Sequence, residues 1–226
     1  MAMHDGHRER LRGRFLKEGL DHFEEINVLE LLLFYCIPRV DTNPIAHRLL
    51  ETFGSFPNVL EASVEDLMKV EGVGKNAAVF LSMINSTNRY YLTKKAESGD
   101  AFTNREAYIN ELKPKFVGRK NEVVYMLCLD PQGKKISCNI IAEGTACSSS
   151  ISVRKVVEVA LSNNAVSIIL AHNHPNGSPL PSKEDKDTSA AIQNALNPLG
   201  VTLIDHIVFG RDDYFSMIDI NYISEF

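Results

Sequence analysis

Residues 171–185 read AHNHPNGSPLPSKED, and this stretch decides how the rest of the sequence is interpreted. It contains His172, one residue, His174, seven residues, Ser182, two residues and then Asp185. Two imidazoles and one carboxylate at short, fixed spacing are side chains that Zn²⁺ prefers as ligands. We therefore treat His172, His174 and Asp185 as a candidate metal site.

The flanking sequence predicts how these side chains converge. The apolar run Val166–Leu170 before them is typical of a buried strand. Side chains alternate along a strand, so His172 and His174 are expected to point the same way beyond its end. Ser182 begins a helical pattern, with Asp185 in the first turn. Three ligands from a strand end and a helix start leave a fourth position open, which is typical of catalytic zinc sites.

Each candidate residue also has an ordinary structural interpretation. Ser182 and Asp185 alone form the S-x-x-D pattern of a helix capping box, which needs no metal. The two histidines alone could be loop side chains bonded to the backbone, but the joint spacing favours the metal. His206, which follows Asp205 in an apolar run, is predicted to be a hydrogen-bonded core residue, with support of a metal ligand as the alternative.

The composition is that of a globular protein with room for one large domain or two small ones. The chain has 226 residues, is 44% hydrophobic and 23% charged, and carries a net charge of −5. This charge argues against a protein that coats nucleic acid, although it leaves room for a local basic patch. A secretory pattern is lacking, and the apolar run Leu29–Ile37 is too short to span a membrane, so a cytoplasmic protein without membrane contact is expected. Four scattered cysteines predict reduced thiols, not a disulfide framework: Cys36, Cys128, Cys138 and Cys147.

The pattern of the chain predicts an α+β protein of two domains. Residues 1–95 read as helices, and residues 94–100, KKAESGD, are the expected boundary because they lack periodicity. In residues 103–226 strands alternate with helices without a strict βαβ repeat. This second domain is therefore expected to be a mixed sheet flanked by helices.

The first domain contains two candidate nucleic-acid contacts. In residues 70–78, VEGVGKNAA, Gly72 and Gly74 predict a tight turn that exposes backbone N–H groups at a helix N-terminus, beside Lys75. The pattern resembles the helix-hairpin-helix module, which binds DNA backbones without reading sequence; a hairpin that only joins two helices is the alternative. Residues 4–18 carry several arginines, and either a solvated helix face or a phosphate-contacting face fits them.

A metal centre that hydrolyses a bond needs a carboxylate that is not a ligand, to accept the proton of the metal-bound water. The candidates are Glu122, just before an apolar strand, Glu143, at a strand end, and Glu158, within a helix. Glu158 is expected to be solvated, because it lies opposite the apolar face of its helix. The residues alone leave Glu122 and Glu143 open.

The pattern His172-x-His174-x7-Ser182-x2-Asp185 is similar to the JAMM (MPN+) metalloprotease signature at every position. HNHPNGSPLPS, EGVGKNAA, GHRERLRGRF, LLLFYCIPRVDTNPIA and DHIVFG resemble bacterial RadC proteins over essentially the whole chain. The resemblance implies a cytidine-deaminase-like α/β sandwich in which His172, His174 and Asp185 hold Zn²⁺. It also implies that Ser182 stabilises the oxyanion and that the general base is a glutamate opening an early core strand. Glu122 matches that position best, with Glu143 in reserve.

Two functions from different classes follow. The first is a zinc-dependent metallopeptidase or isopeptidase that hydrolyses an amide bond in a protein or peptide substrate. The second is a DNA-binding or repair-accessory protein whose MPN domain mediates protein contacts, with Gly72, Gly74 and Lys75 touching the DNA backbone. A zinc nuclease or deaminase is a third alternative, and the deaminase is disfavoured because the sequence has no Cys-x-x-Cys pair to combine with an H-x-E triplet.

Overall fold

The computed structural model of the protein describes residues 5–97, 101–144, 151–175 and 177–220. Cys147 and Asn176 lie outside these residues. The chain forms two compact units, Met1–Asn88 and Arg89–Phe226. The predicted boundary at residues 94–100 stays a prediction, and the helix before it ends at Ala96.

The first unit is built from helices. In chain order they are α1 (Asp5–Glu18), α2 (Glu25–Cys36), α3 (Asn43–Phe53), α4 (Phe56–Glu61), α5 (Val64–Leu67) and α6 (Lys75–Ala96), the last of which ends in the second unit. The core collects apolar side chains from α2 to α6, including Leu33, Leu49 and Leu81. Local signals set the helix ends: Gly54 ends α3 in the left-handed conformation, and Ser63 caps α5 by accepting a hydrogen bond from the Asp66 backbone.

The turn before α6 shows why Gly72 is a glycine. Its φ of 91° favours glycine, and a Cβ there would lie 2.9 Å from the Ile45 side chain. The turn therefore packs closely on α3. A helix, a turn and a second helix are present in this region, whereas its assignment as a DNA-binding helix-hairpin-helix module stays a prediction.

The second unit contains a five-stranded mixed sheet. Its strands are β1 (Glu122–Leu129), β2 (Lys135–Gly144), β3 (Ser167–Asn173), β4 (Thr202–Phe209) and β5 (Tyr214–Ser216), in the order β2-β1-β3-β4-β5. The central pair β3–β4 is parallel and the other neighbours are antiparallel. The seven residues after Glu122 in β1 and the last six of β3 are buried, because both strands lie inside the sheet.

Helices cover both faces of this sheet. On one face, α8 (Val153–Ser162) and α9 (Lys183–Leu196) pack on side chains such as Met126 and Leu170. On the other, α7 (Arg105–Leu112) and the 3₁₀ turn Lys113–Phe116 pack on side chains such as Leu127 and Ile169. Short 3₁₀ turns also follow α9 and β5, at Asn197–Leu199 and Met217–Ile220. The α+β class with a mixed sheet flanked by helices is confirmed.

Side-chain exposure adds detail to the second unit. The buried stripe of α8 is Val156 and Ala160, whereas Leu161 is 48% exposed. The described cysteines Cys36, Cys128 and Cys138 are free thiols. Among the described residues, every helix is too short or too polar to cross a membrane.

Candidate metal centre

The structure brings His172, His174 and Asp185 together, although 11 or more residues separate the aspartate from the histidines in sequence. One ligand atom from each lies within 4.8 Å of the other two. The Nε2 atoms of His172 and His174 are 3.1 Å apart, and His172 Nε2 is 3.3 Å from Asp185 Oδ1. His174 Nε2 is 3.7 Å from Asp185 Oδ2.

These separations fit a tetrahedral ion. Two ligand atoms that each lie about 2.0–2.1 Å from such an ion are roughly 3.4 Å apart. Asp185 is fully buried, and its Oδ1 atom makes no hydrogen bond within the described part of the chain. A buried carboxylate oxygen without a hydrogen-bond donor is costly unless a cation satisfies it. The donor set of two imidazoles and a carboxylate therefore fits a divalent metal ion.

The capping box and the metal site use different atoms of the same aspartate. The backbone N–H and the hydroxyl of Ser182 donate to Asp185 Oδ2 at 2.8 and 2.6 Å, and the Asp185 backbone N–H donates to Ser182 Oγ. This box opens α9 and fixes the carboxylate so that Oδ1 faces the histidines. The two interpretations of S-x-x-D are thus compatible, because the cap holds one oxygen and leaves the other for a cation.

His174 is held by the loop that follows it. Its backbone N–H donates to the carbonyl of Phe209 at 2.8 Å, and its ring Nδ1 lies 2.9 Å from the carbonyl oxygen of Ser178. Gly210 lets this loop approach β4, since a Cβ there would lie 2.9 Å from Pro179. With Nδ1 bonded to a carbonyl, the Nε2 atom of His174 is left to face the other two ligands.

Ionisation in the centre follows from these contacts. The nearby Asp185 carboxylate raises the pKa of His174. Burial would raise the pKa of Asp185, but the neighbouring imidazoles of His172 and His174 and the hydrogen bonds from Ser182 outweigh it and hold that pKa well below its usual range. Asp185 is thus an anion between two imidazoles, which is the charge distribution that attracts a cation.

His206 lies directly behind His172, as a buried residue of β4. Its Nε2 atom is 2.9 Å from Nδ1 of His172, and its Nδ1 atom is 2.6 Å from Ser189 Oγ. Burial lowers the pKa of His206 to about 3, so the ring is neutral near pH 7. The prediction of a hydrogen-bonded core histidine is confirmed, and its partner is one of the candidate ligands.

The two candidate glutamates lie on opposite faces of the sheet. Val124 pairs with His172 across the antiparallel β1–β3 ladder, and continuing that register by two residues sets Glu122 opposite His174. Residues i and i+2 of a strand share a face, so Glu122 lies on the face of the metal ligands. Its charge also contributes to raising the pKa of His174, although less than Asp185 does.

Glu143 pairs with Val123, whose side chain lies on the opposite face. There its carboxylate accepts a hydrogen bond from Arg119 at 2.8 Å. Glu158 is exposed on α8 and paired with Arg154, which confirms that it is a solvated residue. Register thus separates two glutamates that the sequence alone could not separate.

Asn173 was missed by the sequence reasoning. Its side-chain oxygen accepts a hydrogen bond from the Val123 backbone at 2.8 Å, and its amide donates to the Asn121 carbonyl at 3.2 Å. These two backbone groups stand on either side of Glu122, so Asn173 fixes the start of β1 at that residue. The only signal in the sequence was a polar residue inside a buried strand.

The candidate DNA contacts lie in the first unit. Gly72, Gly74 and Lys75 are exposed, with Lys75 at the first position of α6. In the basic segment, Arg8 points inward and donates to the carbonyls of Phe34, Ile37 and Val40, so this side chain caps α2 and does not offer a phosphate contact.

A mixed sheet flanked by helices carries two histidines at a strand end and an aspartate at a helix start, and these three side chains could hold a metal ion. A family model described as a RadC-like JAB domain matches residues 102–222. Two UPF0758 proteins are each 36% identical to the chain. One, from Fusobacterium nucleatum, aligns over 224 residues and 95% of each chain. The other, from Ruegeria pomeroyi, aligns over 205 residues, 91% of this chain and 92% of its own. The chain belongs to the RadC family.

Proposed function

We propose that the second unit is a zinc-dependent hydrolase that cleaves a peptide or isopeptide bond. The observation that carries this proposal is the orientation of Asp185, whose buried Oδ1 atom faces two imidazole nitrogens and has no hydrogen-bond donor among the described residues. A purely structural aspartate at a helix start would have both oxygens satisfied. Membership of a family with a JAB domain supports the same interpretation.

Three protein ligands leave one coordination position for water or substrate. A zinc ion held there would lower the pKa of a bound water and polarise the carbonyl of the scissile bond. His172, His174 and Asp185 would hold the ion. Two imidazoles and one carboxylate leave the bound ion a net positive charge, which favours an anionic nucleophile and a developing oxyanion.

Glu122 is the proposed general base and general acid. It shares a sheet face with the ligands, it is partly exposed, and its register sets it opposite His174. Its carboxylate would accept the proton of the attacking water and pass it to the leaving amine. Asn173 would hold the backbone on both sides of this residue during the exchange.

Ser182 is the proposed hydrogen-bond donor to the oxyanion. In the structure its hydroxyl donates to Asp185 Oδ2. The backbone N–H of Ser182 donates to the same oxygen, so the carboxylate keeps one donor if the hydroxyl turns toward a substrate. The second bond to Oδ2 therefore makes this change of partner inexpensive.

The proposal is tested by metal analysis and substrate trapping on the full chain. We expect about one zinc per chain in protein prepared with zinc, and its loss in a His172→Ala, His174→Ala variant. A Glu122→Gln variant should keep zinc and retain uncleaved protein partners that the wild type releases, whereas Glu143→Gln, altered on the other face, should behave as the wild type. Wild-type protein that stays metal-free with zinc in excess contradicts the proposal.

The alternative, a DNA-binding accessory role, concerns the first unit. Its support is an exposed turn with Gly74 and Lys75 at the start of the 22-residue helix α6. The expected result is binding to branched or single-stranded DNA that weakens with salt and with Lys75→Ala. Absence of binding at low salt removes this alternative without affecting the hydrolase proposal.

A further inference from the structure

A continuous set of hydrogen-bonding groups connects one candidate ligand to another through the protein interior. His172 Nδ1 lies 2.9 Å from His206 Nε2, and His206 Nδ1 lies 2.6 Å from Ser189 Oγ. The hydroxyl of Ser189 in turn donates to the backbone carbonyl of Asp185 at 2.7 Å. We call these four groups the relay. His172, His206, Ser189 and Asp185 are all buried and come from β3, β4 and α9.

Only one direction of the relay is compatible with a metal ion on His172. A metal on Nε2 requires that nitrogen to be bare, so the neutral ring carries its proton on Nδ1. That proton is donated to His206 Nε2, and a neutral His206 then carries its own proton on Nδ1. Ser189 Oγ accepts the hydrogen bond from His206 Nδ1–H, and the Ser189 hydroxyl donates to the Asp185 carbonyl. Every donor in this direction has an acceptor.

The reverse direction is also chemically complete, but it blocks the metal. In it the Ser189 hydroxyl donates to His206 Nδ1, and His206 Nε2–H donates to His172 Nδ1. His172 then carries its proton on Nε2, which lies 3.3 Å from Asp185 Oδ1 and would occupy the metal position. The hydroxyl of Ser189 decides between the two directions, because it can accept from His206 only while it donates its own proton elsewhere, to the Asp185 carbonyl at 2.7 Å or to Met217 Sδ at 3.6 Å.

We propose that His206 and Ser189 are positioning residues that hold His172 in the tautomer with a bare Nε2 atom. The proposal rests on the proposed metal site, but not on the bond that the protein cleaves. Metal-bound histidines usually donate their second N–H to a carboxylate, a carbonyl or water. Here the partner is a buried imidazole, so the relay orients the ligand without adding negative charge beside the ion.

The first test measures zinc affinity of the full chain by competition with a chelator. Ser189→Ala leaves His206 Nδ1 against a methyl group, where a proton would be unsatisfied, and so favours the reverse direction. We expect zinc affinity to fall about 10- to 100-fold. Ser189→Thr keeps the hydroxyl and should restore most of that affinity.

Ser216→Ala is the matched control. Ser216 is also a buried serine of this unit, and its hydroxyl donates to Asp205 Oδ2 at 2.7 Å, outside the relay. Its loss should leave zinc affinity unchanged. Equal zinc affinities for Ser189→Ala and Ser216→Ala, in folded protein, would overturn the proposal.

The second test needs no variant. In zinc-loaded wild-type protein with ¹⁵N-labelled histidine, nuclear magnetic resonance should find both His172 and His206 protonated on Nδ1. Neither Nε2 atom should carry a proton. A His206 protonated on Nε2 with zinc bound overturns the relay and leaves the metal site intact. Wild-type protein that binds no zinc overturns both the relay and the proposed function.

Discussion

The two units of the chain each hold a cluster of polar side chains around a buried carboxylate, and the clusters differ in the partners of that carboxylate. In the first unit the closed cluster consists of His7, Arg8, Glu30 and Asn43. Glu30 Oε1 lies 2.8 Å from His7 Nε2, and its Oε2 accepts a hydrogen bond from Asn43 at 3.4 Å. Arg8 donates to three backbone carbonyls. Both oxygens of the buried carboxylate thus have partners within the cluster, and Arg8 is satisfied by the backbone.

In the second unit the open cluster consists of His172, His174 and Asp185. Two imidazole nitrogens face each other at 3.1 Å, and the nearby Asp185 Oδ1 accepts no hydrogen bond in the described ranges. Both clusters bury a carboxylate completely, so burial alone does not mark a functional site. What distinguishes the open cluster is that its atoms converge on a point that a cation would fill.

Removal of a ligand should give the largest effect. Asp185→Asn keeps the shape of the side chain but removes its negative charge from the open cluster. Zinc affinity should fall by more than the roughly 100-fold that loss of an outer contact can cost, and all turnover should be lost. Metal content after dialysis, measured by mass spectrometry, checks this. Retention of stoichiometric zinc by this variant would remove the distinction between the clusters.

Glu122→Gln should separate chemistry from metal binding. Loss of a general base lowers turnover by about 10²–10⁴-fold, while zinc content should stay at the wild-type value. Glu143→Gln is the control, since that carboxylate bonds Arg119 on the other sheet face. Turnover of a trapped substrate measures both. If Glu143→Gln is the impaired variant, Glu122 is not the general base, although the strand register places it on the face of the ligands.

Acid should destabilise the metal-free second unit through His206. Its folded pKa is about 3, against 6.5 ordinarily, so between these values the unfolded chain binds a proton that the folded chain does not. This contribution to the free energy of unfolding is complete above pH 6.5 and decreases as pH falls toward 3. At pH 5 the loss is about 2 kcal/mol. Denaturant unfolding at several pH values checks this, and His206→Gln should show a flatter dependence on pH between 6.5 and 5.

The smallest effect is expected in the closed cluster. Arg8→Met keeps much of the apolar stem but leaves carbonyls at the end of α2 without their donor. We expect the first unit to lose about 2 kcal/mol of stability, while zinc affinity does not change. Hydrogen exchange of α1 and α2, measured beside zinc titration, reports both quantities. A change in zinc affinity would show that the two clusters are coupled.

Much of the fold and of the candidate metal site could be predicted from the sequence because the relevant signals are local. An apolar run predicted strand β3, and the three-residue spacing of Ser182 and Asp185 marked the start of helix α9. A helical pattern fixes a buried stripe only to within one residue, so the exposure of Leu161 beside the buried Ala160 had to come from the structure. Lys94 and Lys95 belong to the last turn of α6 although they begin the predicted boundary at residues 94–100, because basic side chains suit a last helical turn as well as a linker.

Sequence by itself determined the α+β class and the candidate ligands, since their types and spacing are local properties of residues 166–185. Only the tertiary structure decided which glutamate shares a face with them, because strand register depends on pairing between β1 and β3. It also decided the partners of His172, since His206 is 34 residues away along the chain and reaches it only through the parallel pairing of β3 and β4. Hydrogen bonds between distant residues leave no local pattern, and so the relay could be found only in the folded chain.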